Sequence, residues 1–327
     1  MLSASFPTRL PLPVVAYQAR SIQIILIGAG GTGSWVCQHL ARLVWDFNRS
    51  QALVQDEQPR RARLLVVDYD VVEQGNIKAR QNFCPAEIGL PKSQLLATRY
   101  GLAFGMGPDE ISAQVKPFAH SMIESRFDQL TILVGCVDNA AARQEIAKCL
   151  KEYNSYAPER ERVPLVWWVD SGNGLHTGQV LIGNTARLAE MQGALHESIC
   201  TRLPSPALVH PELLTPHPDE IQAASPRLSC KELVLAGEHR AQQSRTINNH
   251  MAALVYAYVE MLIYGGLSTF ATYTDLATFT VRSLEATPEA FALALARNQD
   301  FFTMSPCEEL DEEDLDDEDE PPLHLAL

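Results

Sequence analysis

The stretch Ser21-Ile22-Gln23-Ile24-Ile25-Leu26-Ile27-Gly28-Ala29-Gly30-Gly31-Thr32-Gly33 decides the fold. An apolar, isoleucine-rich run ends directly in a GxGGxG loop. The residues that follow put Trp35, Val36, Leu40, Leu43 and Val44 at helical spacing. Strand, glycine turn and helix in that order make a device for anions: the glycines let backbone N–H groups approach phosphate oxygens at the positive end of a helix. Many nucleotide proteins share it, so the loop alone does not choose among them.

Outward from this unit, a polar stretch from Asn48 to Arg61 leads into Leu64-Leu65-Val66-Val67-Asp68, a short run typical of a strand buried on both faces. Further buried strands are expected at Leu130 to Val134 and Pro164 to Val169, separated by helices at Ser93 to Phe104 and Asn139 to Tyr153. Strands alternating with helices imply a Rossmann-like, doubly wound α/β fold with a mainly parallel sheet. Gly178 to Gly183 reads as one more strand. Leu203 to Pro226 holds six of the 20 prolines and is expected to be an extended connection rather than a core element. A long helix from about Arg240 to Tyr264, a late strand at Leu276 to Leu284 and a short helix beyond Pro288 complete the domain. The expected organisation is an N-terminal extension (1–20), a nucleotide-binding core (21–185), a continuation of the same domain (186–300) and an acidic disordered tail (301–327).

Composition narrows the class. The 327 residues are 46% hydrophobic, enough for a full core. The net charge of −14 is concentrated: Glu308 to Glu320 carries eleven acids and no base, leaving −3 for the rest. That body offers no basic footprint for nucleic acid. The tail reads as a solubilising run. Met1 to Pro13 lacks a continuous apolar core and is not a secretory signal. Met251 to Leu267 is interrupted by Glu260 and reads as a buried helix rather than a membrane span. A cytoplasmic protein is expected. The seven cysteines include no Cys-x-x-Cys pair, so neither a disulfide framework nor a zinc site is expected, and His210 and His217 read as surface residues.

Around Asp68 the choice among nucleotide proteins is made. The chain reads Asp68-Tyr69-Asp70, then Asn76, Arg80-Gln81, Ile88-Gly89-Leu90-Pro91-Lys92, and later Cys136-Val137-Asp138-Asn139 with Arg143. This order resembles the adenylation domain of the ThiF, MoeB and ubiquitin-activating superfamily, whose pattern is GxGGxG, DxD, SNLxRQ, IGxxK and DNxxxR. Within it, the chain is most similar to the ThiF-related proteins of the plasmid-associated PRTRC system. The resemblance covers about residues 20–185 and implies an ATP-dependent adenylyltransferase. Its substrate would be a carboxylate, the C-terminal glycine of a small ubiquitin-like or sulfur-carrier protein, and its assembly a homodimer. Gly28, Gly30, Gly31 and Gly33 would cradle phosphate, and Asp68 would fix the ribose with Asp70 beside it. Asn76 and Gln81 would lie at the phosphates, with Asn139 and Arg143 opening the helix behind them.

The chemistry asks for the same residue types. A carboxylate attacking the α-phosphate of ATP brings like charges together, so fixed cations and a metal are required. Arg80 and Lys92 supply positive charge, and Asp138 suits Mg²⁺, which prefers carboxylate and phosphate oxygens. Two departures stand out. Asn76 and Arg80 are four apart where the pattern has three, which brings Lys78 into competition for the phosphate role. The N-terminal arginine segment that some relatives lend to a partner is missing, with Arg9 and Arg20 weak substitutes. Pro226-Arg227-Leu228-Ser229-Cys230 matches the position of the acyl-accepting cysteine of many relatives. There Cys230 would sit near a helix start and Lys231, both of which lower a thiol pKa. Cys200 is the weaker candidate. Two other readings compete: a non-catalytic nucleotide-binding scaffold, and a nicotinamide-dependent oxidoreductase with Asp68 on a ribose. The latter needs an acid roughly 20 residues past the last glycine. Asp68 lies 35 past Gly33.

Overall fold

The computed structural model describes residues 11–54, 58–78, 81–124, 128–154, 164–196, 198–216 and 245–303. An eight-stranded sheet runs through it. In chain order the leading elements are β1 (Ser21–Ile27), α1 (Gly33–Gln51), β2 (Arg61–Val67), α2 (Gln74–Lys78), α3 (Lys92–Phe104), β3 (Ile111–Gln114), β4 (Gln129–Gly135) and α4 (Ala140–Asn154). They are followed by β5 (Val166–Asn173), β6 (Thr177–Gly183), the two-residue strands β7 (Leu195–His196) and β8 (Ile199–Cys200), and α5 (Pro206–Val209). The chain closes with α6 (Arg245–Tyr264), β9 (Thr269–Asp275), β10 (Thr280–Glu285), α7 (Pro288–Leu295) and α8 (Asp300–Thr303). The sheet order is β10-β9-β6-β5-β4-β1-β2-β3. From β3 to β5 every pair is parallel, and from β5 to β10 every pair is antiparallel.

Continuous apolar runs become central strands because both sheet faces are covered. In β1, Ile22, Ile24 and Leu26 join the core beneath α1, α3 and α6, while Ile25 and Ile27 join the one beneath α4. The consecutive Trp167 and Trp168 divide the same way and both are fully buried. Each aliphatic side chain buried in this manner contributes ~1.5–3 kcal/mol before entropy is charged against it. On α6, Ile247, Met251, Val255, Tyr258 and Leu262 recur at helical spacing and are buried.

Three expectations change. A short edge strand, β3, forms where no strand was expected. The late strand expected at Leu276 to Leu284 is instead a hairpin, with its turn over residues 276–279 and Phe279 at φ 56°. Its first arm, Thr-Phe-Ala-Thr-Tyr-Thr-Asp, carries too many threonines to announce itself by apolar alternation. The proline-rich segment, as far as residue 216, is not simply extended. Leu203 and Pro206 are buried, Ser205 caps α5 by accepting from Leu208 N at 3.3 Å, and Leu214 O accepts from Gln144 Nε2 of α4 at 2.7 Å. Proline suits the first turn of a helix, where its missing N–H is no loss.

Candidate active site

The carboxyl ends of β1, β2, β4 and β5 open into one cleft of about 1290 Å³. Its floor is the glycine loop. Gly28 sits at φ +89°, and a Cβ there would lie 2.6 Å from Cys136 O; a Cβ on Gly33 would lie 2.0 Å from Gly28 O. Only glycine fits either place. Gly30 faces open space, and with Gly31 it lines the cleft at the start of α1. That helix has no acid in its first turn and no side-chain cap; Ser34 N donates to Gly30 O at 3.1 Å and Trp35 N to Thr32 O at 3.0 Å, and the positive end of the helix faces the cleft through Gly30, Gly31 and Thr32.

Asp68 follows β2. Its Oδ2 accepts from Ala29 N of the loop at 2.6 Å and its Oδ1 accepts from Asp70 N at 2.8 Å. Burial pushes the carboxyl upward, while these hydrogen bonds and the nearby Lys92 pull the other way. Lys92, at the start of α3, is buried, and its Nζ stands 3.1 Å from Asp70 Oδ2. Ser93 Oγ donates to Asp68 O at 2.8 Å, fixing α3 to the end of β2. The Tyr69 phenol is pushed up, first by the charge of Asp70, then by burial and by Asp68 and Asp138. Asp68 and Asp70 thus set carboxylates at this end of the cleft, with the Lys92 ammonium against Asp70.

Asn76, Lys78 and Gln81 line the same cleft. Asn76 Oδ1 accepts from Glu73 N at 2.8 Å, closing the turn that begins α2, and Gln81 Oε1 is a buried acceptor with no hydrogen-bond partner among the described residues. Of the segment between Asn76 and Arg80, α2 is described as far as its last residue, Lys78, which lines the cleft. Arg80 itself lies outside the described residues, as does Cys230. Asn82, which the sequence reading passed over, donates to Ser34 O at 3.2 Å and Tyr100 Oη at 2.9 Å, and its N–H donates to Ser34 Oγ at 3.0 Å. The segment is thereby pinned to the first turn of α1.

Across the cleft, Asp138 is exposed and accepts no hydrogen bond among the described residues. Asn139 Oδ1 accepts from Ala142 N at 2.9 Å, so it caps α4. Arg143 pairs through Nε with Asp170 Oδ1 at 3.0 Å. Asp170 is fully buried, and burial pushes its carboxyl up against the pull of Arg143. Asp170, Lys116 and the Thr32–Asn173–Asn248 chain, with contacts of 3.1 and 2.7 Å, are site or support residues that the motifs did not reveal. An acid closing the apolar run Val-Trp-Trp-Val-Asp was the one available signal. Cys200 is excluded as a nucleophile: it is fully buried, its thiol is pushed up to about 12, and Sγ donates to Arg202 O at 3.2 Å. Nor is His210 a plain surface residue; it is half-buried, 2.7 Å from Tyr273 Oη and 2.8 Å from Glu212 Oε1.

A single carboxylate at a cleft mouth suits a metal whose remaining ligands are phosphate oxygens and water. No group of three or more His, Cys, Asp or Glu capable of holding a metal occurs among the described residues. No helix among them is long and apolar enough to cross a membrane.

A glycine loop on a helix start, an acid at the end of the next strand, a buried lysine and an aspartate across the cleft define a nucleotide-binding α/β protein. The ThiF family model matches residues 14–184, just over half of the chain, and the chain belongs to the ThiF family. No curated protein matches it by sequence. Among solved structures it is similar to PaaA (16% identity, TM-score 0.45, covering 82% of this chain and 65% of that one). It is also similar to E. coli MccB with AMPCPP and MccA (14%, 0.48, 82% and 65%) and to E. coli MccB with ATP (13%, 0.45, 81% and 63%). The chain spans just under two thirds of the length of these structures.

Proposed function

We propose that the cleft binds ATP and joins its AMP portion to a carboxylate. One observation carries the reading: Asp68, Lys92, Asp138 and Arg143 line or adjoin a single cleft whose floor is a phosphate-type glycine loop. The carboxylate oxygen attacks the α-phosphorus, the bond from that phosphorus to the bridging oxygen breaks, and pyrophosphate leaves. The glycine-loop N–H groups and Lys92 hold the phosphates, and the Arg80 that follows α2 adds charge to the leaving group. Asp68 holds the ribose. Gln81, with its unpartnered buried acceptor, takes a donor from the ligand. Mg²⁺, held by Asp138, would neutralise charge on the phosphates. A dinucleotide-dependent oxidoreductase would leave Lys92 and Asp138 without a task.

The resemblance to the superfamily supports a protein substrate of the ubiquitin-like or sulfur-carrier kind, a homodimeric assembly and a place beside the PRTRC-associated members, and the composition of the sequence supports a cytoplasmic setting. A second step, transfer of the acyl group from AMP to the Cys230 thiolate, forms a thioester and releases AMP. The test is exchange of labelled pyrophosphate into ATP. It should require the cognate carboxylate, and Asp138→Ala should lower it by roughly 10²-fold or more. Exchange that survives this change removes Asp138 from the reaction. In the same incubation, an acyl adduct cleaved by thiols should vanish in Cys230→Ala; its persistence would put the acyl group elsewhere.

A further inference from the structure

Three side chains outside the lining of the nucleotide cleft stand in line. Glu212 Oε1 lies 2.8 Å from His210 Nδ1, and His210 Nε2 lies 2.7 Å from Tyr273 Oη. Glu212 and His210 belong to the turn that follows α5, and Tyr273 lies in β9, 63 positions beyond His210. The turn is held from both sides: His210 N donates to Pro206 O at 2.8 Å, and Leu213 N donates to His210 O at 3.1 Å. The imidazole meets the phenol ring edge-on, with ring centroids 5.7 Å apart, so the two rings are joined by a hydrogen bond rather than stacked.

The proton positions follow from the chemistry of the groups. An ionised carboxylate only accepts, so the imidazole proton sits on Nδ1 and faces Glu212. Nε2 is then an acceptor and takes the phenol O–H. Burial pushes the Tyr273 phenol up, Arg282 pulls it back, and Glu212 adds to the rise. A phenol that keeps its proton is a weak nucleophile until a base removes it, and His210 is in place to do so. Carboxylate, imidazole and hydroxyl in that order make a nucleophilic triad, here with a phenol as the hydroxyl.

The phenol also has a place in which to act. Tyr273 lines a second cavity of about 490 Å³, which shares Gly172 and Asn173 with the nucleotide cleft. In the sheet it stands directly between Gln179 of β6 and Arg282 of β10, and both line the same cavity. Directly opposed residues carry their side chains on one face. An amide donor and a guanidinium therefore flank the phenol, and groups of that kind steady an oxyanion.

We propose that Glu212, His210 and Tyr273 are a nucleophilic triad, and that Tyr273 accepts an acyl group from an activated acyl donor with an oxygen leaving group, held in the second cavity. Tyr273 Oη attacks the carbonyl carbon and its proton passes to His210 Nε2. The bond from that carbon to the leaving oxygen breaks, and the leaving group departs with the electron pair. The product is an aryl ester. Because a phenol has a pKa of about 10, the acyl group stays active toward a further nucleophile. Glu212 touches no reacting atom and is a positioning residue for His210. The activity goes beyond adenylation, and neither ATP nor Cys230 takes part in its test.

The probe is p-nitrophenyl acetate, incubated with the full chain, quenched in acid and mapped by peptide mass spectrometry. Acetylation of Tyr273 should outpace that of Tyr264, an exposed tyrosine whose ring neighbour is Phe47, by about 10²-fold or more. His210→Gln can still accept the phenol's hydrogen bond but cannot take its proton, and should bring Tyr273 down to the rate of Tyr264. Glu212→Gln keeps an acceptor for the Nδ1 proton but loses the charge, and should lower the rate about tenfold. Tyr273→Phe should remove the initial burst of p-nitrophenolate. Acetylation of Tyr273 no faster than that of Tyr264, a rate unmoved by His210→Gln or Glu212→Gln, or a burst that survives Tyr273→Phe overturns the proposal. The first of these outcomes is read on the unaltered chain and depends on no variant's folding.

Discussion

The parallel half of the sheet, β3 to β5, and the antiparallel half, β5 to β10, share one strand and are built from different material. The central parallel strands, β1 and β4, are rich in Ile, Leu and Val and buried on both faces, and their carboxyl ends converge on the cleft. The antiparallel strands mix Thr, Gly, Tyr and Gln, bury one face against α6, and leave part of the other open. Parallel strands need crossovers, and the crossovers bring helix starts and loop residues to one place. Antiparallel strands need only turns, so their exposed face is free to differ. The first half gathers the polar residues of the cleft, and the second extends the sheet away from it.

The largest test of this division falls on the shared strand. Arg143→Ala would leave Asp170 charged and unpaired in a fully buried position, a change that costs about 3–5 kcal/mol when such a pair is broken. Chemical denaturation followed by circular dichroism should show that loss in one transition for both halves. A loss below about 1 kcal/mol would mean the pair is not structural.

A smaller contrast comes from two glycines. In Gly33→Ala the new methyl meets backbone, 2.0 Å from Gly28 O, and should cost about 1–3 kcal/mol together with a tenfold or greater loss of ATP affinity. In Gly178→Ala the methyl meets the flexible Met251 side chain, 2.4 Å from Sδ, which can yield. ATP titration of Gly178→Ala should match the wild type; equal damage from both changes would erase the distinction between the halves.

The smallest effect concerns pH. Burial raises the folded-state pKa of Asp68 above its ordinary 3.8. Between the two values the native state binds more protons than the unfolded chain, so this group's contribution to stability is present at low pH and fades as pH rises through the raised pKa. The melting temperature of wild type relative to Asp68→Asn should therefore decline from about pH 4 toward neutrality. A difference that is flat or rises would contradict the burial argument.

The same division decides how much was legible beforehand. In the parallel half, apolar runs bounded by glycine and aspartate mark strands and site together, so the loop, Asp68, Lys92 and Asp138 could be read as motifs. Asp170 could not, because its role comes from an arginine brought across by α4 rather than from a neighbour in sequence. In the antiparallel half, threonine-rich strands look like loops, and the hairpin of β9 and β10 passed for one strand. His210 looked like a surface residue because its partner, Tyr273, lies 63 positions away.

Trp167 and Trp168 carry an optical consequence. A strand turns successive side chains to opposite faces, so these adjacent indoles report on different layers of the protein. Trp168 shares its surroundings with Gly135 and Asp170 on the side that bears the nucleotide cleft, whereas Trp167 belongs to the core under α1 and α6. With Trp167 replaced by phenylalanine, the blue-shifted emission from this strand follows the ligand-facing layer alone. With Trp168 replaced instead, it follows the opposite one. The chain thus contains two spectroscopic channels, one residue apart, for separating events at the site from events in the scaffold.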